Sequence, residues 1–155
     1  MLLPNQLKQF LLEPRFYWMA TRNQDFICEI HRVLGVQVAG TDILRIFIYQ
    51  GTASRTKENL LANKLIAFSV TSGFTFESYQ IKGKLLEIRP VNEEEEVLMK
   101  NYIVEMDKML VALGYSVSGV LTETLYTPAW SVEFSIEQVF DQTPKVGTGK
   151  LLTSV

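Results

Sequence analysis

The sequence predicts a mainly β protein with flanking helices, one domain spanning residues 1–155, built round a small closed antiparallel barrel. Three observations predict it. Short apolar runs bounded by turn residues recur at Phe16–Thr21, Phe26–Leu34, Ile43–Tyr49, Leu65–Thr71, Phe76–Arg89 and Trp130–Phe140. Most of these runs follow one another through tight polar turns, which suits hairpins rather than the helical crossovers of a parallel sheet. Ile43–Tyr49 and Leu65–Thr71 are apolar on both faces, so both faces are covered, one by the barrel interior and the other by a helix or a second subunit.

Taken in order, Asn5–Leu12 reads as a short helix, with Leu7, Phe10 and Leu11 on one face, a capping Asn5 and a stop at Pro14. Phe16–Thr21 is the first strand, and Asn23-Gln24-Asp25 turns it into Phe26–Leu34. There Phe26, Cys28 and Ile30 alternate with Glu29 and His31, which makes the first set the core face and Cys28 a core filler. Gly35 breaks or bulges this strand, and Val36–Ala39 continues it. Gly40-Thr41-Asp42 turns into Ile43–Tyr49, where Leu44, Ile46 and Ile48 share one face and Phe47 and Tyr49 the other. Gln50–Asn63 then reads as a polar turn and a short helix leading into Leu65–Thr71. Ser72-Gly73 turns the chain into Phe76–Arg89, which bends at Gly83 and ends at Pro90. Its alternation sets Gln80, Lys82 and Lys84 against Tyr79, Ile81 and Leu85. Asn92 caps a long helix with Glu95 at the reciprocal position, and Leu98, Tyr102, Met106, Met109 and Leu113 follow helical spacing to a stop at Gly114. Tyr115–Thr127 reads as a short helix or a strand. Trp130–Phe140 is the last strand, followed by a Thr-, Pro-, Gly- and Lys-rich tail after Asp141 that covers a surface or is mobile.

Composition narrows the function. The 155 residues carry a net charge of −2, which argues against a nucleic-acid protein working through a broad basic surface. One cysteine excludes an intrachain disulfide, and one histidine speaks against a histidine-based zinc site or a Ser-His-Asp triad. No apolar run reaches membrane-spanning length, and the N-terminus lacks the features of a signal peptide, so a cytoplasmic protein with no membrane or nucleic-acid partner is expected.

No G-x-G-x-x-G follows a strand, so a Rossmann site is unsupported, and Gly147-Thr148-Gly149-Lys150 fails as a phosphate loop, with Pro144 and Leu151 at two required positions. The stretch Gln50–Asn63 carries more. Arg55 and Lys57 stand in the first helical turn, next to the positive end of the helix dipole, where cations are unfavourable. Ser54 and Thr56 are good N-cap types, but neither has Glu or Gln three residues on. Free backbone N–H groups, two hydroxyls and two cations on one turn suit a bound phosphate. Gln80 and Lys82 offer polar side chains beside Gly83, where a ligand edge or another backbone can approach.

Three pieces in order carry a resemblance: Ser54-Arg55-Thr56-Lys57 with Asn59-Leu60 and Asn63, then Tyr79-Gln80-Ile81-Lys82-Gly83, then Trp130–Phe140 with its Val-Glu-Phe core. Together they resemble the pyridoxamine 5′-phosphate oxidase-like family of FMN-binding split β-barrels. The resemblance implies a six-stranded antiparallel split β-barrel of the FMN-binding type and a homodimer with FMN at the subunit interface. It implies an FMN-dependent oxidoreductase acting with a small-molecule substrate or electron donor. By position, Ser54, Arg55, Thr56 and Lys57 would hold the FMN phosphate, and His31, Arg32, Ile48, Tyr49 and Gln50 would lie along the ribityl chain and ring. The match is ambiguous by one residue at His31/Arg32 and at Thr56/Lys57. Gln80 matches the family glutamine near the flavin, and Trp130 an aromatic contributed by the other subunit. No metal and no catalytic residue is implied. The family's oxidases carry an Arg-x-His pair for the substrate phosphate, and here that region reads Val139-Phe140-Asp141-Gln142-Thr143-Pro144. Vitamin B6 oxidation is therefore not expected. The lone His31 also invites comparison with nitroimidazole-reductase-like relatives, which use a histidine near the flavin. The alternatives are a non-catalytic FMN-binding or carrier protein, and a haem-binding split barrel.

Overall fold

In the computed structural model, residues 3–115 and 126–154 are described. The chain runs α1 (Asn5–Leu12), β1 (Phe16–Arg22), β2 (Cys28–Arg32), β3 (Val36–Gly40), β4 (Ile43–Tyr49), a 3-10 turn (Gln50–Thr52), α2 (Ser54–Asn63), β5 (Leu65–Thr71), β6 (Ser78–Pro90), α3 (Glu93–Ala112), β7 (Ala129–Asp141) and β8 (Lys150–Ser154). The sheet is antiparallel, in the order β2-β1-β5-β6-β7-β4-β3, with β8 also paired to β7.

Two expectations are corrected. Among the described residues the sheet has eight strands rather than six, and its ladder is open rather than closed. The opening and one of the two extra strands have their cause in residues 33–35. Val33 donates to the Tyr17 carbonyl, but Leu34 donates to that of Phe47. The chain therefore leaves the edge of β1 and joins the edge of β4, with Gly35 at φ +146° making the step. What reads as one strand continued past Gly35 is two strands at opposite ends of the ladder. The eighth strand is in the tail after Asp141, where β8 pairs with Gln138–Asp141. The long β6 and β7 join the halves, with register shifts at Lys82/Gly83 and Leu85/Glu87. A Cβ at Gly83 would run into the Ser135 carbonyl oxygen, so glycine is needed where β7 crosses closest.

Leu44, Ile46, Ile48, Phe68, Ile81 and Phe134 fill the interior, and α1 closes over it with Leu7, Phe10 and Leu11. The other apolar face of β4 is covered by a helix: Phe47 packs with Leu34, Ala129 and Met99 of α3. Asn92 and Glu95 form the expected capping box. The buried residues of α3 are Glu95, Met99, Ile103, Met106 and Met109, while Leu98 is exposed. The Glu95 carboxylate accepts from both Arg89 guanidinium nitrogens at 2.8 and 2.7 Å and from Ser131 Oγ at 3.3 Å, tying the helix start to β6 and β7. Burial alone would raise this carboxyl; the Arg89 pair and the Asn92 N–H outweigh it and hold it below the ordinary range. Residues 116–125, within the stretch read as a short helix or strand, lie outside the described residues.

β2 turns the other way from its expected alternation. Cys28 and Ile30 are exposed and His31 is buried. Phe26 is no longer in the strand; it sits in the turn at φ +61°. The reason lies in the partners: β2 is an end strand whose inward side meets α2, while on its outward side, shared with β1, β5 and β6, α3 packs only at the Phe16 end and Ile30 stays exposed. Along that outer face the register aligns Arg32, Trp18, Ser69, Gln80 and Phe140. The neighbouring row holds Ile30, Ala20, Ala67, Lys82 and Gln138. The expected alternation of β6 holds, with Tyr79, Ile81 and Leu85 turned to the core.

Candidate functional site: the start of α2

The site begins where β4 stops pairing. Gly51 lets the turn fold tightly, because a Cβ there would meet the Tyr49 ring. Gln50 anchors the turn to β7 through its N–H to the Pro128 carbonyl at 2.9 Å and its Nε2 to that of Ala129 at 3.1 Å. The helix behind is pinned by amides. Asn59 Nδ2 donates to Thr21 Oγ1 at 3.1 Å, and Asn63 Nδ2 to the Arg22 carbonyl at 2.7 Å. Leu60 enters the core. Lys64, at φ +63°, ends the helix in the left-handed conformation.

The N-cap is Ala53, not Ser54 or Thr56, and it has no side-chain oxygen to offer. Lys57 N–H makes the first helical bond, to the Ala53 carbonyl at 2.8 Å. The N–H groups of Ser54, Arg55 and Thr56 precede it, with no side-chain cap and no acidic residue in the turn. The end therefore keeps its full positive dipole. Arg55 reaches toward β2, with Nη1 3.2 Å from Glu29 Oε1; its side chain is 79% exposed, so this pair contributes little. A cavity of about 350 Å³ lies beside it, bordered by Asn23, Glu29, Arg55, Glu58 and Asn59. Lys57 leans toward β7, with Nζ 3.8 Å from the centre of the Trp130 ring. The Thr56 side chain is buried.

The expected site residues separate into three groups. His31, Tyr49, Gln50, Ser54, Arg55, Thr56, Lys57 and Trp130 gather round the start of α2. Tyr49 packs edge-on against Tyr126, with ring centres 6.5 Å apart. Trp130 sits opposite Ile48 in the ladder of its own chain. Arg32 and Gln80 belong instead to the outer face, three strands apart in one row. Ile48 points into the barrel core and is fully buried. Trp130 and Phe140 are separated by a contour of roughly 33 Å along β7, at about 3.3 Å per residue. Gln80 pairs with Phe140, ten residues along β7 from Trp130.

Thr52 was not singled out in the sequence, yet its Oγ1 lies 2.9 Å from His31 Nε2. Placing His31 inward on β2 is the signal that would have pointed to it. Trp18 and Ile30, 48% and 69% exposed, are the large apolar side chains that β1 and β2 expose on the outer face. A cavity of about 400 Å³ opens there, bordered by Ala20, Ala67, Arg22, Cys28, Lys82 and Gln138. Among the described residues no group of three or more His, Cys, Asp or Glu could hold a metal ion. No described helix is long and apolar enough to cross a membrane.

No protein-family model matches the chain, and no curated protein matches it by sequence. Solved structures do match its fold. The crystal structure of HupZ from Group A Streptococcus aligns over 92% of this chain and 96% of its own, at 12% identity and a TM-score of 0.59. A putative pyridoxamine 5′-phosphate oxidase from Lactobacillus delbrueckii aligns over 90% and 93%, at 16% identity and 0.54. An FMN-binding protein from Syntrophomonas wolfei aligns over 96% and 89%, at 11% identity and 0.53. The chain has the fold of the pyridoxamine 5′-phosphate oxidase-like split barrels.

Proposed function

We propose that this chain is an FMN-binding flavoprotein, an FMN-dependent oxidoreductase that works in the cytoplasm as a homodimer with FMN at the subunit interface. The observation that carries the proposal is the start of α2: three N–H groups ahead of the first helical bond, no cap, no acid, and two cations on the same turn. That set suits a phosphate, and it occurs in a fold shared with a protein described as FMN-binding. Lys57, rather than the buried Thr56, is the phosphate ligand beside Arg55 and Ser54. When bound, FMN supplies hydride or electron transfer to and from a small molecule. The chain's own residues fix the phosphate, offer Gln80 and Arg32 as polar contacts and wall the site with apolar groups.

The dimer is supported by the outer face, where Trp18 and Ile30 stand exposed beside small Ala20 and Ala67. A haem reading lacks a free histidine: His31 is the one histidine in the chain and both its ring nitrogens are engaged. A pyridoxamine phosphate oxidase reading lacks the substrate-phosphate pair. Asp141 stands in that region instead, its carboxyl held down to about 2, chiefly by Lys145 and also by Thr143.

The purified protein is expected to be yellow, with a flavin spectrum and FMN released on denaturation. Colourless protein that ignores added FMN overturns the proposal. Replacing Arg55 or Lys57 by Ala should weaken FMN binding by roughly 5- to 30-fold each, about 1–2 kcal/mol for a charge-assisted contact. Reduction of bound flavin by a nicotinamide nucleotide separates an enzyme from a carrier.

A further inference from the structure

His31 lies on the inward face of β2, 8% exposed, with both ring nitrogens engaged. Nδ1 is 2.8 Å from the Arg32 carbonyl oxygen. A carbonyl only accepts, so Nδ1 carries a hydrogen in either charge state. Nε2 is 2.9 Å from Thr52 Oγ1. In the neutral ring Nε2 is an acceptor, and the Thr52 hydroxyl gives it its one hydrogen. In the protonated ring Nε2–H donates, the hydroxyl oxygen accepts, and the hydroxyl hydrogen is released to turn outward. Thr52 is exposed, and only Ala53 separates it from the first turn of α2.

We propose that His31 and Thr52 form a proton-linked switch on the anion site at the start of α2. Uptake of one proton by His31 converts Thr52 from a donor to the imidazole into a donor to the bound anion. This rests on the reading that the FMN phosphate binds there. The new imidazolium charge acts in the same direction. The titratable groups on the surrounding elements are Glu29 of β2, Tyr49 at the end of β4, and Arg55, Lys57 and Glu58 of α2. Glu29 is paired with Arg55, and Lys57 lies on Trp130. β1 contributes no charge at this level; the residue opposite His31 is Met19. Because the bound state favours protonated His31, affinity rises as pH falls. By reciprocity, the anion favours proton uptake.

FMN affinity is measured by fluorescence quenching between about pH 8 and pH 5.5, spanning the histidine range, on tag-free full-length protein. The phosphate's own titration is common to every variant. Wild type should gain on His31→Gln by up to about tenfold per pH unit, the limit for one proton. Thr52→Ser should keep that gain, and Thr52→Val should lose most of it. Parallel profiles for wild type and His31→Gln, or an unchanged gain in Thr52→Val, overturn the switch while leaving FMN binding intact. A readout free of mutants comes from nitrogen NMR, because the single imidazole needs no assignment. At high pH the ring should show the Nδ1–H tautomer, and inorganic phosphate should raise the pH at which its signals shift. An Nε2–H tautomer, or a ring indifferent to phosphate, overturns the switch. Failure to bind FMN while phosphate still moves the ring overturns the cofactor reading alone.

Discussion

Truncating Glu95 to Ala removes the carboxylate through which α3 is held to the sheet. The side chain is 3% exposed and accepts two bonds from Arg89. Its Oε2 also accepts the Asn92 N–H at 3.0 Å, the reciprocal half of the capping box. Breaking one side of a buried ion pair costs about 3–5 kcal/mol. Arg89 is 31% exposed and regains water, which moves the cost to the lower end of that range. Loss of the reciprocal cap adds about 1 kcal/mol. The sum is about 4 kcal/mol, which lowers Tm by roughly 8–16 °C in a chain of this size. Glu95→Gln keeps the shape and an acceptor, and should lose about 1–2 kcal/mol. Glu94→Ala, one residue away and exposed, should stay within about 0.5 kcal/mol. The assay is urea unfolding followed by circular dichroism, with a common slope. A Glu95→Ala loss under about 1 kcal/mol, or one equal to that of Glu94→Ala, would refute the burial argument. The depressed carboxyl also sets a sign. Its contribution is full above the ordinary carboxylate range and disappears as pH falls through its folded value, so wild type should lose its advantage over Glu95→Gln in acid.

Gly83→Ala forces a Cβ against the Ser135 carbonyl where β6 and β7 cross, and should cost about 3 kcal/mol or more, read as a lower urea midpoint. Ile30→Lys lies on the exposed outer face, so it should leave the unfolding midpoint within about 0.5 kcal/mol while shifting the proposed dimer toward monomer in light scattering. An unchanged mass would place the interface elsewhere. The Asp141 carboxyl is lowered to about 2, so its contribution is present above the ordinary range and is lost as pH falls toward that value. Asp141→Asn should flatten that part of the acid-unfolding curve.

Elements governed by local patterns were legible in the sequence. Ile43–Tyr49, Leu65–Thr71 and the capped start of α3 follow from alternation, β-branching and the Asn92/Glu95 spacing, all carried by contiguous residues. The doubly apolar β4 correctly required a second cover, and α3 supplies it. The cations at the start of α2 were visible too, because a misplaced charge is a local anomaly. Strand count and closure were not. Whether residues 33–35 continue one strand or change partners depends on which edge is within hydrogen-bonding reach, and Tyr17 and Phe47 become neighbours only after folding. The facing of β2 failed for the same reason: alternation gives two faces but does not say which is inward, and a helix from another part of the chain takes the side carrying His31. The site divides along that line. Its residue types, Arg55, Lys57, Gln80 and His31, belong to the sequence. Tertiary structure decided that His31 reads Thr52, that Lys57 rests on Trp130 and that Gln80 shares a row with Arg32 on the outer face. Those relations join residues distant along the chain, and only the packed sheet sets the distances between them.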